Sequence, residues 1–158
     1  MAGRRPGERP DEGGSGGGAR ALGEDTLRRC RRVLGPDHPT TLWVAIALAR
    51  ALAAVGEGAA ARVLGEDTLE GCRRVLGPDH RNSLWAAVAL TEALASVGEV
   101  EAARALGEET LRRCRRVLGP DHVITRDATV ALTHAVSRSG DAKAARAPGP
   151  PPAKPPGL

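Results

Sequence analysis

From Thr40 to Val55 apolar residues return every three or four positions, and Leu42, Ala45, Ile46, Leu48, Ala49 and Leu52 line one face of a helix. Gly56 follows where a glycine would cap a helix C-terminus. A second helix is predicted from about Glu57 to Val75, acidic early and basic late, as the helix dipole favours. Gly77-Pro78 stops it, since proline has no N–H to continue the ladder.

This two-helix pattern recurs every 42 residues. Leu-Gly-Pro-Asp-His stands at 34–38, 76–80 and 118–122, and blocks 21–62, 63–104 and 105–146 align without a gap. The first two blocks agree at 29 of 42 positions, the mark of tandem duplication. The chain therefore predicts a second-type helix near 20–33 and two full pairs. A first-type helix near 124–139, ended by Gly140, follows, and then a stub cut short near Pro148. No pair covers its own apolar side, and stacked neighbours do. The predicted fold class is all-α, an α–α superhelix of antiparallel helix pairs. The flanks differ: residues 1–20 hold seven glycines, and 147–158 are rich in proline. Both are predicted to be disordered tails, too poor in apolar residues to offset their ordering entropy.

Composition sharpens the picture. The chain has two Trp and no Phe or Tyr, so its core must be built from Ala, Leu and Val in close helix–helix contact. A net charge of +4 mixes both signs, as on a solvated helical surface. The basic N-terminus has no apolar stretch behind it, so it does not read as a secretory signal. The longest apolar run, 42–49, is too short for a membrane span. Three cysteines, an odd count without close pairs, point away from a disulfide framework and towards a reducing cytoplasm.

Gly56-Glu57…Ala60-Ala61 and Gly98-Glu99-Val100-Glu101-Ala102-Ala103, each leading to Leu-Gly-Pro-Asp-His, resemble the 42-residue tetratricopeptide repeats of the kinesin-light-chain type. The resemblance implies that first helices line a concave groove and second helices face outward. By register the groove would take Trp43, Ile46, Arg50 and Ala53, then Trp85, Val88, Glu92 and Ala95, then Asp127, Val130, His134 and Ser137. The family often clamps a peptide backbone with paired asparagines. Here those positions are Ile46-Ala47, Val88-Ala89 and Val130-Ala131, all apolar, which implies a drier groove. The implied function is a non-catalytic scaffold or adaptor for a protein or peptide. Alternatives are a self-associating module and a detached sensor or docking piece of a larger signalling NTPase-type protein. The chain holds no Gly-x-x-x-x-Gly-Lys-Ser/Thr phosphate loop.

Candidate chemistry reads two ways. Trp43 and Trp85 are either binding anchors or packing between repeats. Arg50, Glu92 and His134 share one position, as either a specificity stripe or an unconstrained exposed one. Cys30, Cys72 and Cys114 lie on the apolar stripe of second helices and read as buried small hydrophobes, one per repeat and too far apart to bridge. His38, His80 and His122 sit in separate loops, where they read as helix-entry residues beside Asp37, Asp79 and Asp121, whose side chains could cap backbone N–H groups. No catalytic set, metal site or cofactor is expected.

The Arg-Arg-Cys-Arg-Arg runs at 28–32 and 112–116 follow Glu24, Asp25, Glu108 and Glu109 at ion-pair spacing, and repeat two substitutes Glu70-Gly71. Net charges of +2, −3 and +3 by repeat disfavour a nucleic-acid groove. Gly23, Gly65 and Gly107 recur inside second helices, where a close backbone crossing would keep them. The last repeat lacks most of its second helix, and the side bearing Ala128, Leu132 and Ala135 is expected to be under-covered, a route to a homodimer or to a docking partner at that end.

Overall fold

The computed structural model describes residues 15–146, six helices with no strand among them. In chain order these are α1 (Ser15–Leu34), α2 (Pro39–Ala54), α3 (Gly58–Leu76), α4 (Arg81–Ser96), α5 (Val100–Val117) and α6 (Val123–Arg146). The expected disordered tails fall largely outside the described residues, at 1–14 and 147–158. Residues 15–20, read as part of the first tail, instead extend α1 by a turn and a half; Arg20 in that extension bonds Glu24 one turn on and reaches Glu57 before α3.

Each helix packs on the next in sequence, and α2 also packs on α4, and α4 on α6. The backbones of α1, α3 and α5 do not approach one another. Long side chains alone span those gaps, as when Arg31 of α1 reaches Asp67 of α3 at 3.3 Å. Close first-type helices and splayed second-type helices bend the array, with α2, α4 and α6 on the inner side.

The turns repeat with the sequence. Gly56 and Gly98 take φ of +85°, a conformation only glycine adopts freely, and Glu57 N–H then reaches back to the Leu52 carbonyl at 2.9 Å. Gly140 does not do this. Its φ is not positive and α6 runs through it to Arg146, contrary to the expected cap. Of the residues after it, Ala142, Lys143, Ala144, Ala145 and Arg146 are good helix formers, which carry the helix on.

Histidine, not aspartate, caps the first helices. The Nδ1 atoms of His38, His80 and His122 accept from the backbone N–H groups of Thr40, Asn82 and Ile124 at 3.1, 3.1 and 3.2 Å. Asp37 and Asp79 are left free to meet arginines of the following second helix. The recurring helical glycines mark close crossings as expected. A Cβ on Gly65 would lie 3.5 Å from Leu90 Cα, and one on Gly107 would lie 3.1 Å from both Leu132 and Thr91 side chains.

A charged and aromatic face across three repeats

Position 50 of α2, and its equivalent 92 in α4, point to the inner side. Arg50 forks onto Glu92, with Nε to Oε2 at 3.1 Å and Nη2 to Oε1 at 3.2 Å. Its remaining nitrogen, Nη1, donates to Asp127 Oδ2 of α6 at 3.0 Å. One guanidinium thereby ties all three first-type helices together, using the planar geometry that makes arginine a bidentate donor. Desolvation opposes the charge on Arg50, but the bonds and attraction from Glu92, then Asp127, outweigh it and raise its pKa.

The aromatic pair sits alongside. Trp43 and Trp85 have ring centroids 6.3 Å apart with planes tilted by 50°, and Arg50 Cζ lies 5.8 Å from the Trp85 ring centre. Trp85 packs between repeats, against Leu84, Val88 and their neighbours, and its indole N–H is buried without an acceptor among the described residues. Trp43 remains 48% exposed. Packing between repeats thus describes Trp85, while Trp43 leaves about half of its surface open.

Beside this network lies a depression of about 710 Å³, lined by Ala47, Ala51, Ala54 and Ala95 with Trp85, Val130, His134 and Arg138. Of the residues the register assigned to the groove, Arg50, Ala53, Trp85, Glu92, Ala95, Val130 and His134 border this depression. Asp127 joins through Arg50. Two assignments are overturned: Ile46 and Val88 are fully buried, because α4 covers the first and α6 the second. Val130, at the same register in α6, is 61% exposed because no described helix follows it. His134 lines the depression but makes no bond to Arg50 or Glu92, so the stripe of three ionisable residues becomes a pair joined by Asp127. Asp127 occupies the tryptophan position of its repeat, which is why a register-by-register reading did not pair it with Arg50.

The C-terminal end also differs from expectation. Ala128 and Ala135 are buried and Leu132 is half-buried, since α5 packs over most of that side. The uncovered stripe carries Arg126, Thr129, Val130 and Thr133 instead. Arginine and threonine stand there at the positions of Leu42 and Ala45, or Leu84 and Ala87, in the inner repeats.

The remaining candidates resolve simply. Cys72 and Cys114 are buried, Cys30 is half-buried, and all three are free thiols; desolvation raises the pKa of Cys72 and of Cys114 to about 11. No group of three or more His, Cys, Asp or Glu among the described residues could hold a metal ion. No helix among them is long and apolar enough to cross a membrane. The arginine runs are paired with acids one turn earlier, Arg29 with Asp25 at 2.8 Å and Arg113 with Glu109 at 2.8 Å.

No curated protein matches the chain significantly. The tetratricopeptide repeat model matches three consecutive segments, residues 14–40, 41–82 and 83–124; the second and third are 42 residues long and open near the starts of α2 and α4. Repeats of this kind generally mediate protein–protein interaction. By that match, which spans most of its length, and by its stacked helix pairs, the chain belongs to the tetratricopeptide repeat family.

Proposed function

We propose that this chain is a non-catalytic scaffold that seats a protein or peptide partner on the face formed by α2, α4 and α6. The observation that carries this reading is the alanine-lined depression beside Trp85. Arg50 is already satisfied by Glu92 and Asp127, so the face offers little free charge to a ligand backbone. Its partner should present apolar or aromatic side chains that fill the alanine floor and stack on the exposed Trp43. The three unpaired thiols favour a reducing compartment, the cytoplasm.

A peptide library selected on the full chain tests this. Selected peptides should carry apolar anchors, shift tryptophan emission, and lose about tenfold or more in affinity when Ala51→Arg fills the depression. Ligands that leave emission unchanged and ignore Ala51→Arg would remove the groove from consideration.

Self-association is the second reading, and the feature that favours it lies at the N-terminal end. Ala19, Leu22 and Thr26 of α1 are exposed, whereas their equivalents Ala61, Ala103, Thr68 and Thr110 are buried under a preceding first-type helix. A second copy pairing through α1 would cover them. Light scattering that shows a monomer at high concentration would end this reading.

A further inference from the structure

Arg29, Gly71 and Arg113 occupy one equivalent position in α1, α3 and α5. In α5 the Arg113 guanidinium meets Glu109 one turn earlier at 2.8 Å and Asp79 of the loop between α3 and α4 at 3.2 Å. Asp79 also accepts from Arg116 at 3.0 Å, so this loop aspartate holds two guanidinium groups. Around α3 the same acceptors are present, Asp67, which Arg31 of α1 also meets at 3.3 Å, in place of Glu109 and Asp37 in place of Asp79. Arg74 repeats the role of Arg116, meeting Asp37 at 2.6 Å. The other guanidinium is missing because residue 71 is glycine. In its place is a cavity of about 520 Å³ bordered by Asp37, Thr41, Asp67, Glu70 and Gly71.

Two further observations bear on what would fill it. The neighbouring position, Arg112 in α5, is Glu70 in α3, so the cavity sets three carboxylates against two guanidinium groups, Arg31 and Arg74. Independently, Thr41 is only 1% exposed and its Oγ1 has no hydrogen-bond partner among the described residues. The equivalent hydroxyls do have one: Ser83 donates to the Gly77 carbonyl at 2.6 Å and Thr125 to the Gly119 carbonyl at 2.7 Å. Thr41 thus borders, with its hydroxyl enclosed, a cavity in which carboxylates outnumber guanidinium groups by one.

We propose that this cavity binds a guanidinium group from another molecule, an arginine side chain of a partner protein, in the place that Arg113 fills from within α5. A planar fork can span two acceptors on different elements, as Arg113 does, whereas an ammonium presents a point charge. The site lies apart from the depression beside Trp85 and stands or falls without it.

The test is a titration of the full, isotope-labelled chain with Nα-acetyl-arginine methylamide, followed by amide resonances. Saturable shifts are expected at Thr41, Thr68 and Gly71, with affinity on the order of 1 mM for one isolated side chain. The matching lysine amide should bind about tenfold more weakly. Gly71→Arg, which supplies the group internally, should abolish the shifts; a Cβ there meets only Leu42 Cδ2, at 3.3 Å. Glu70→Arg, at an exposed position, should weaken binding about tenfold even if the first variant folds poorly. Ala51→Arg should leave it unchanged. Absence of saturable shifts, equal affinity for the two amides, or binding that survives Glu70→Arg undiminished would each overturn the proposal.

Discussion

Arg50 and Asp127 lie 77 residues apart in the chain, yet their side chains meet at 3.0 Å. With Glu92 between them, they make one charged knot out of three separate helices. The three groups are roughly 70% buried, so removing the cation leaves two carboxylates close together in poor solvent. Arg50→Ala should cost about 1–3 kcal/mol by urea unfolding. Adding Asp127→Asn to that variant should recover stability, while the same change in the native chain should lose it. A double-mutant coupling between Arg50 and Glu92 below about 0.5 kcal/mol would show that the knot is incidental.

The two tryptophans should behave unequally. Trp85 fills the space between repeats, and Trp85→Ala should cost about 3–5 kcal/mol. Trp43→Ala removes a half-exposed ring and one aromatic contact, for about 1–2 kcal/mol. Equal losses in chemical denaturation would contradict this unequal packing of the two rings.

Histidine capping makes its own prediction. His80→Ala deprives the Asn82 N–H of its acceptor and should cost about 0.5–2 kcal/mol, whereas His80→Asp should retain most of the stability. Thermal melts of the two variants decide it.

Cys72 and Cys114 give a pH dependence with a definite sign. Burial raises each thiol from 9.0 to about 11, so the unfolded chain loses these protons first as pH rises. Their contribution to stability is complete below about pH 9 and falls away up to about pH 11. Urea midpoints measured across that window should decline, and replacing both residues by alanine should flatten the decline. In the native chain a thiol reagent should modify Cys30 first.

Ile46 and Val130 share a register but not an environment. Ile46→Ala should cost about 2–5 kcal/mol, and Val130→Ala should stay within about 0.5 kcal/mol. Comparable losses would mean that something covers the outer face of α6.

These contrasts show where sequence reading stops. Helix positions, the cap at Gly56 and Gly98, the crossings at Gly65 and Gly107 and the stacking of pairs were all legible, because each depends on residues within one or two turns or on exact repetition. The boundary at Gly140 differs: repetition implied a cap, but Gly140 keeps a helical φ and α6 runs on through the helix-forming Ala, Lys and Arg that follow it. Ile46 and Val88 were misplaced because register says which side of a helix a residue occupies, not which neighbour covers that side.

The 42-residue period by itself determined that helix pairs stack and how far apart equivalent residues lie, since a unit that cannot bury its own apolar flank must stack on its like. It could not determine the meeting of Arg50 with Asp127, or the empty place beside Gly71. Both join positions from different repeats at different registers, and the tilt between neighbouring units decides which side chains come within reach.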